Sequence, residues 1–124
     1  MKLTPHTPPR RFAVGHDGAI TVSHCADIAL ESDQQVTFTT ASGTEFDVVR
    51  KDWGYYATPS LNGRLPAHGL RPALVRSGDK GYLLLVERGA EAVFRDYLDD
   101  QRMTIICWLD GPVELLPEDI GQPQ

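Results

Sequence analysis

The chain has 124 residues, 41% apolar and 23% charged, a composition that fits one globular domain with a single core and leaves no room for a second. No apolar run approaches the roughly 20 residues of a membrane-spanning helix, and Met1 to Arg11 lack the apolar stretch of a secretory signal, so the cytoplasm is the expected location. The net charge of −5 is unevenly spread: residues 50–80 hold six Lys or Arg against two Asp, a local +4 that leaves −9 for the remainder. A basic segment in an acidic chain points to a local anion site and away from nucleic acid, whose binders spread positive potential over a whole face.

Residues 1–17 and 112–124 are rich in Pro, Gly and polar residues and read as an N-terminal arm and a C-terminal tail. Between them, 18–111 is expected to form a single β-rich domain. Residues 20–24 and 28–30 alternate as strands do, and Glu31-Ser32-Asp33-Gln34 closes that stretch with turn chemistry. Residues 36–39 and 44–50 form the clearest hairpin, with Phe46 and Val48 expected inward and Glu45 and Asp47 outward. A second hairpin pairs 70–75 with 82–87. The second of these runs is apolar on both faces and is expected at the centre of its sheet. Ala90, Val93, Phe94, Tyr97 and Leu98 share one face of a helix predicted over about 90–101, and residues 103–109 return as a strand. The expected fold is α+β, mainly β: an antiparallel roll or sheet with one helix from the C-terminal half packed on it.

Cys25 and Cys107 lie far apart in strand-like contexts and are expected to be reduced, largely buried thiols. The sequence carries no P-loop, dinucleotide glycine fingerprint, nucleophile elbow or CxxC pair. Its four His and two Cys show no metal-ligand spacing apart from the adjacent His24-Cys25, whose side chains would point to opposite faces of a strand. Neither a metal nor a cofactor is therefore expected.

Chemistry concentrates in residues 50–76, where three aromatics, four Arg, one Lys and one His are interleaved with Gly and Pro. Trp53, Tyr55 and Tyr56 either complete the core or offer stacking surface for a sugar ring or base. Pro59, Pro66 and a left-handed Asn62-Gly63 turn would hold Ser60, Asn62 and Arg64 in fixed positions. Arg64 and Arg71, with Lys51, could then grip a phosphate or carboxylate. His68, beside Arg71, is the best acid–base candidate, with Asp52 or Tyr55 as its complement.

The stretch 46–109, above all Lys51-Asp52-Trp53-Gly54-Tyr55-Tyr56-Ala57-Thr58-Pro59-Ser60-Leu61-Asn62-Gly63-Arg64-Leu65, resembles a family of small uncharacterised bacterial proteins found beside genes for surface polysaccharide and nucleotide-sugar metabolism. The resemblance implies an accessory role near activated sugars and carries over no catalytic residue. Residues 28–36 with the hairpin that follows are similar to cupin-like rolls, without the His cluster and Glu that give cupins their metal.

Three functions follow as expectations. The first is a small binding or accessory protein that recognises a sugar phosphate or nucleotide sugar through Lys51, Trp53, Tyr55, Tyr56, Ser60, Asn62, Arg64 and Arg71. The second is an isomerase or epimerase of activated sugars that uses His68, Asp52 or a Tyr. The third is a protein-interaction module or homo-oligomer in which the same aromatic and Arg residues form an interface hot spot.

Overall fold

Among the described residues the chain forms eight strands, interrupted by two helices and a 3-10 turn. The structure is a computed structural model and describes residues 1–57, 59–112 and 114. In chain order the elements are β1 (Lys2–Val14), a single 3-10 turn (His16–Gly18), β2 (Ile20–Ala29), β3 (Gln35–Thr39), β4 (Glu45–Lys51) and β5 (Gly54–Ala57). They continue with α1 (Arg64–Ala67), β6 (Leu70–Ser77), β7 (Lys80–Glu87), α2 (Glu91–Gln101) and β8 (Thr104–Trp108). All pairings are antiparallel, in three sheets ordered β1-β2, β3-β4-β5 and β7-β6-β8. The protein is thus α+β and mainly β, with α2 as its main helix. None of the described helices is long and apolar enough to cross a membrane.

The core lies between β7-β6-β8 and α2. Ala73 and Val75 of the central strand β6 meet Leu98 of α2, and Leu84, Phe94, Met103, Ile105 and Trp108 pack around them. The helix falls where the apolar periodicity puts it, but its buried face is narrower than predicted. Leu98 is buried and Phe94 half-buried, whereas Val93 is 72% exposed. The central strand is β6, and β7 lies at the sheet edge with Leu83 exposed. A run apolar on both faces marks a strand with apolar neighbours and does not say how many strands flank it.

Residues 1–17, expected as an arm, hold the longest strand of the fold. β1 pairs with β2 from Lys2↔Ala29 to Val14↔Ile20. Its Pro5, Pro8 and Pro9 obscure the strand in sequence, yet they are tolerated because β1 has one free edge and a bulge absorbs the mismatch between Pro5 and Arg10. The ribbon seats on the body through its tip, where His16 N–H donates to Gln101 Oε1 at 2.6 Å. Gly15 makes this seat possible: its φ is +83°, and a Cβ there would stand 2.4 Å from the same oxygen. Of the expected C-terminal tail, 112–124, all but Pro112 and Glu114 lies outside the described residues.

The hairpin β3-β4 forms where expected, but Asp47, expected outward, is the one buried residue of β4, with Glu45, Phe46 and Val48 all half-buried. Asp47 is buried, accepting from Thr37 Oγ1 at 2.6 Å and pairing with Arg64 at 3.4 Å. Phe46 and Val48 are half-buried on the opposite face, where Phe46 stacks on an exposed Phe38 with ring centroids 6.4 Å apart. Thr37 of β3 and Arg64 of α1 supply the polar partners that make burial of Asp47 tolerable, which alternation alone does not reveal. The sheet is tied to β7 by Glu87, whose carboxylate accepts from Thr40 Oγ1 at 2.6 Å, Ser42 Oγ at 2.7 Å and Thr44 Oγ1 at 3.4 Å. These hydroxyls, Thr40 first, hold the Glu87 carboxyl below its ordinary range.

Both cysteines are free; Cys107 is half-buried, but Cys25 is exposed, contrary to expectation, with Sγ against Ser23 O at 3.4 Å.

Candidate functional site

The aromatic segment becomes the turn and second strand of a hairpin. Asp52 and Trp53 form the two-residue turn between β4 and β5, so Trp53 projects from the tip and is 71% exposed. Tyr55 and Tyr56 follow on β5 at 64% and 51% exposure and, as successive strand residues, occupy opposite faces. Tyr55 pairs with Arg50, whose guanidinium carbon lies 5.8 Å from the ring centroid, a cation–π distance, while Arg50 NH1 donates to Gly54 O at 3.2 Å. Cross-strand pairing puts Phe38, Phe46, Val36, Val48, Arg50 and Tyr55 on one face of this sheet.

The loop after β5 is shaped by its own contacts. Ser60 Oγ accepts the Arg64 N–H at 2.7 Å, and Ser60 O accepts those of Gly63 and Leu65 at 3.3 and 3.0 Å. Ser60 therefore caps the start of α1. Gly63 does not adopt the expected left-handed turn: its φ is −134°, and glycine is required there because a Cβ would come within 2.6 Å of Ser60 Oγ. Leu65, fully buried, anchors α1 against β6. Asn62 is exposed.

The cations expected to grip an anion already have partners. Lys51 Nζ bonds Asp33, which with Asp52 raises the Lys51 pKa, the direct bond from Asp33 being the larger cause. Arg64 pairs with Asp47 but keeps an exposed guanidinium. Arg71 belongs to a separate place: its Nε donates to Asp110 Oδ2 at 2.7 Å and its NH1 to Glu91 Oε2 at 3.2 Å, with the guanidinium 4.0 Å above the Trp108 ring. Asp110 first, then Glu91, raises the Arg71 pKa against the effect of burial. All four acids, Asp33, Asp47, Glu91 and Asp110, come from outside residues 50–80, so folding cancels much of the charge excess seen in the sequence.

The acid–base candidates are also separated. His68 Nδ1 lies 3.3 Å from Glu45 Oε2, at the start of β4, whereas Asp52 follows its far end and accepts from Ser32 Oγ at 2.6 Å. An extended strand of that length spans roughly 20 Å, so His68 is not placed to share a proton relay with Asp52, or with Tyr55 beside it. Depressions of about 510 and 580 Å³ lie elsewhere, the first where the β1-β2 tip meets α2 and β7, the second around Arg71, Arg88 and Asp110.

No family model matches the sequence, and no curated protein or solved structure is detectably similar to it.

One cluster escapes sequence reasoning altogether. His6 of β1 meets His24 and Asp27 of β2: His6 Nε2 is 3.2 Å from Asp27 Oδ2, His24 Nε2 is 2.9 Å from Asp27 Oδ1, and the ring centroids are 4.5 Å apart. The three residues could hold a metal ion. Their ligand pattern was invisible in spacing because 18 positions separate the two His in sequence, and the bulge between Pro5 and Arg10 re-aims His6 across the ribbon. The neighbouring Cys25, the partner that sequence adjacency offers to His24, bonds Ser23 O instead.

Proposed function

We propose that this protein is a binding module without a catalytic role, which self-associates through the aromatic face of β3-β4-β5 and the Trp53 turn. The observation that carries this reading is that Phe38 and Tyr55, on one face of this small sheet, and Trp53 at the adjoining turn are each more than half exposed. Aromatic residues and Arg concentrate binding energy at interfaces, and Arg50 already lies over Tyr55. A flat sheet face can meet its own copy about a two-fold axis, each aromatic row packing on the other. Separation of His68 from Asp52 counts against the isomerase or epimerase reading.

The second reading is recognition of a sugar phosphate or nucleotide sugar. It is favoured by the exposed guanidinium of Arg64 near the aromatic hairpin. It loses support from Lys51 and Arg71, whose charges are taken up by Asp33 and by Asp110 with Glu91.

Light scattering and sedimentation equilibrium test the first reading. The wild type is expected to form a concentration-dependent dimer or larger assembly, and the double variant Trp53→Ala, Tyr55→Ala to remain monomeric with an unchanged far-ultraviolet spectrum. A wild type that stays monomeric at every concentration refutes self-association. A rise in its melting temperature with nucleotide sugars or sugar phosphates, lost in Arg64→Ala, would then establish the second reading.

A further inference from the structure

We propose that His6, His24 and Asp27 form a binding site for a first-row divalent metal, zinc being the ion that best suits two imidazoles and a carboxylate, and that the ion staples β1 to β2.

Ligand geometry is the first argument. Zinc bonds of about 2.0–2.2 Å in a tetrahedral arrangement set neighbouring ligand atoms roughly 3.3 Å apart. His6 Nε2 lies 3.2 Å from Asp27 Oδ2 and His24 Nε2 lies 2.9 Å from Asp27 Oδ1, each close to that spacing, and taking one ligand atom from each residue the three fall within 4.8 Å of one another, so small side-chain rotations bring them to one ion. Three protein ligands leave a fourth position for water, on the side where the Asp27 carboxylate is exposed.

Buried polarity is the second. His6 Nε2 has almost no solvent contact and no hydrogen-bond partner among the described residues. Asp27 Oδ2 is near enough for an ionic contact but is not placed to complete a hydrogen bond. A buried ring nitrogen without a partner carries a desolvation penalty that a metal bond would remove.

The third argument comes from the ribbon. Two strands with no third neighbour are marginal in water, and β1-β2 meets the body mainly at its tip. A metal bridging residue 6 to residues 24 and 27 would fix the bulged middle of the hairpin, where backbone pairing is interrupted.

Arg10 makes the inference specific. Its guanidinium donates to His24 Nδ1, and because Arg has no acceptor this nitrogen must be unprotonated, so Nε2 carries the proton and donates to Asp27 Oδ1 and to Ala26 O. A metal on Nε2 takes the place of that proton and calls for Nδ1–H facing an acceptor, the reverse of what Arg10 provides. Binding must therefore displace the exposed Arg10 side chain, and Arg10 acts as a gate that weakens the site.

Titration of Zn²⁺ into the chelator-treated full chain tests this, followed by calorimetry and by imidazole nitrogen–proton spectra. One ion is expected, with the resonances of His6 and His24 moving and those of His16 and His68 unmoved. Asp27→Asn and His6→Gln, each checked for an unchanged far-ultraviolet spectrum, should weaken binding at least roughly tenfold, and Arg10→Gln should tighten it by about 10- to 100-fold, the scale of outer-shell effects. Absence of saturable binding, or binding untouched by both ligand variants, overturns the site. Weaker binding in Arg10→Gln overturns the gate.

Discussion

Replacing Arg71 with Ala should destabilise the protein by about 2–3 kcal/mol, and the figure follows from what the guanidinium holds. Arg71 sits on β6 and ties it to the first turn of α2 through Glu91, to the residues after β8 through Asp110, and to β8 itself through the Trp108 ring. The 2.7 Å bond to Asp110 is charge-assisted and mostly shielded, since the two side chains are 26% and 18% exposed. Such bonds contribute about 1.5–3 kcal/mol when buried and less than 1 when solvated, so about 1.5 is appropriate here. Stacking on Trp108 adds about 1 kcal/mol. For a domain of this size the total corresponds to a fall of roughly 8–12 °C in melting temperature. Urea unfolding monitored by Trp fluorescence measures the change, and a double-mutant cycle with Asp110→Asn isolates the pair. Arg71→Lys should recover only part of the loss, because an ammonium cannot present Nε and NH1 to two acids while lying flat on the indole. A change below about 0.5 kcal/mol in Arg71→Ala, the level of an ordinary surface substitution, would refute the argument and return Arg71 to the pool of free anion-binding groups.

Two other substitutions probe how the sheets are joined. Glu87 has a folded-state pKa below its ordinary 4.5, so its contribution is present above that value and is lost as the pH falls through the lowered folded pKa. Melting temperatures taken from pH 7 to pH 3 should fall less steeply at the acid end in Glu87→Gln than in the wild type; identical profiles would show that the Thr40, Ser42 and Thr44 contacts do not couple to folding. Leu65→Ala should cost about 2–4 kcal/mol in denaturant unfolding, because the side chain is fully buried and α1 has a single turn with little stability of its own. A loss under 1 kcal/mol would mean that the segment closes over the cavity.

Local patterns carried much of the fold. The hairpins β3-β4 and β6-β7, the helix α2 and the strand β8 follow from side-chain period and turn residues, which act over a few neighbours. β1 was hidden because its three Pro and its bulge break the period on which such reading depends. The exposure of Trp53 and the inward turn of Asp47 were equally hidden, since each depends on what another element supplies. A two-residue turn lifts the indole away, and Arg64 with Thr37 makes a buried carboxylate tolerable.

The sequence by itself determined the class of the protein, the local elements and the concentration of aromatic and basic residues at 50–76. Tertiary structure alone decided which of those residues remain available. Coulombic pairing acts across space regardless of chain distance, so Asp33, Asp47, Glu91 and Asp110 could reach cations whose neighbours in sequence gave no sign of them. The same non-locality assembled His6 with His24 and Asp27, because strand pairing and a bulge fix their separation and spacing along the chain does not.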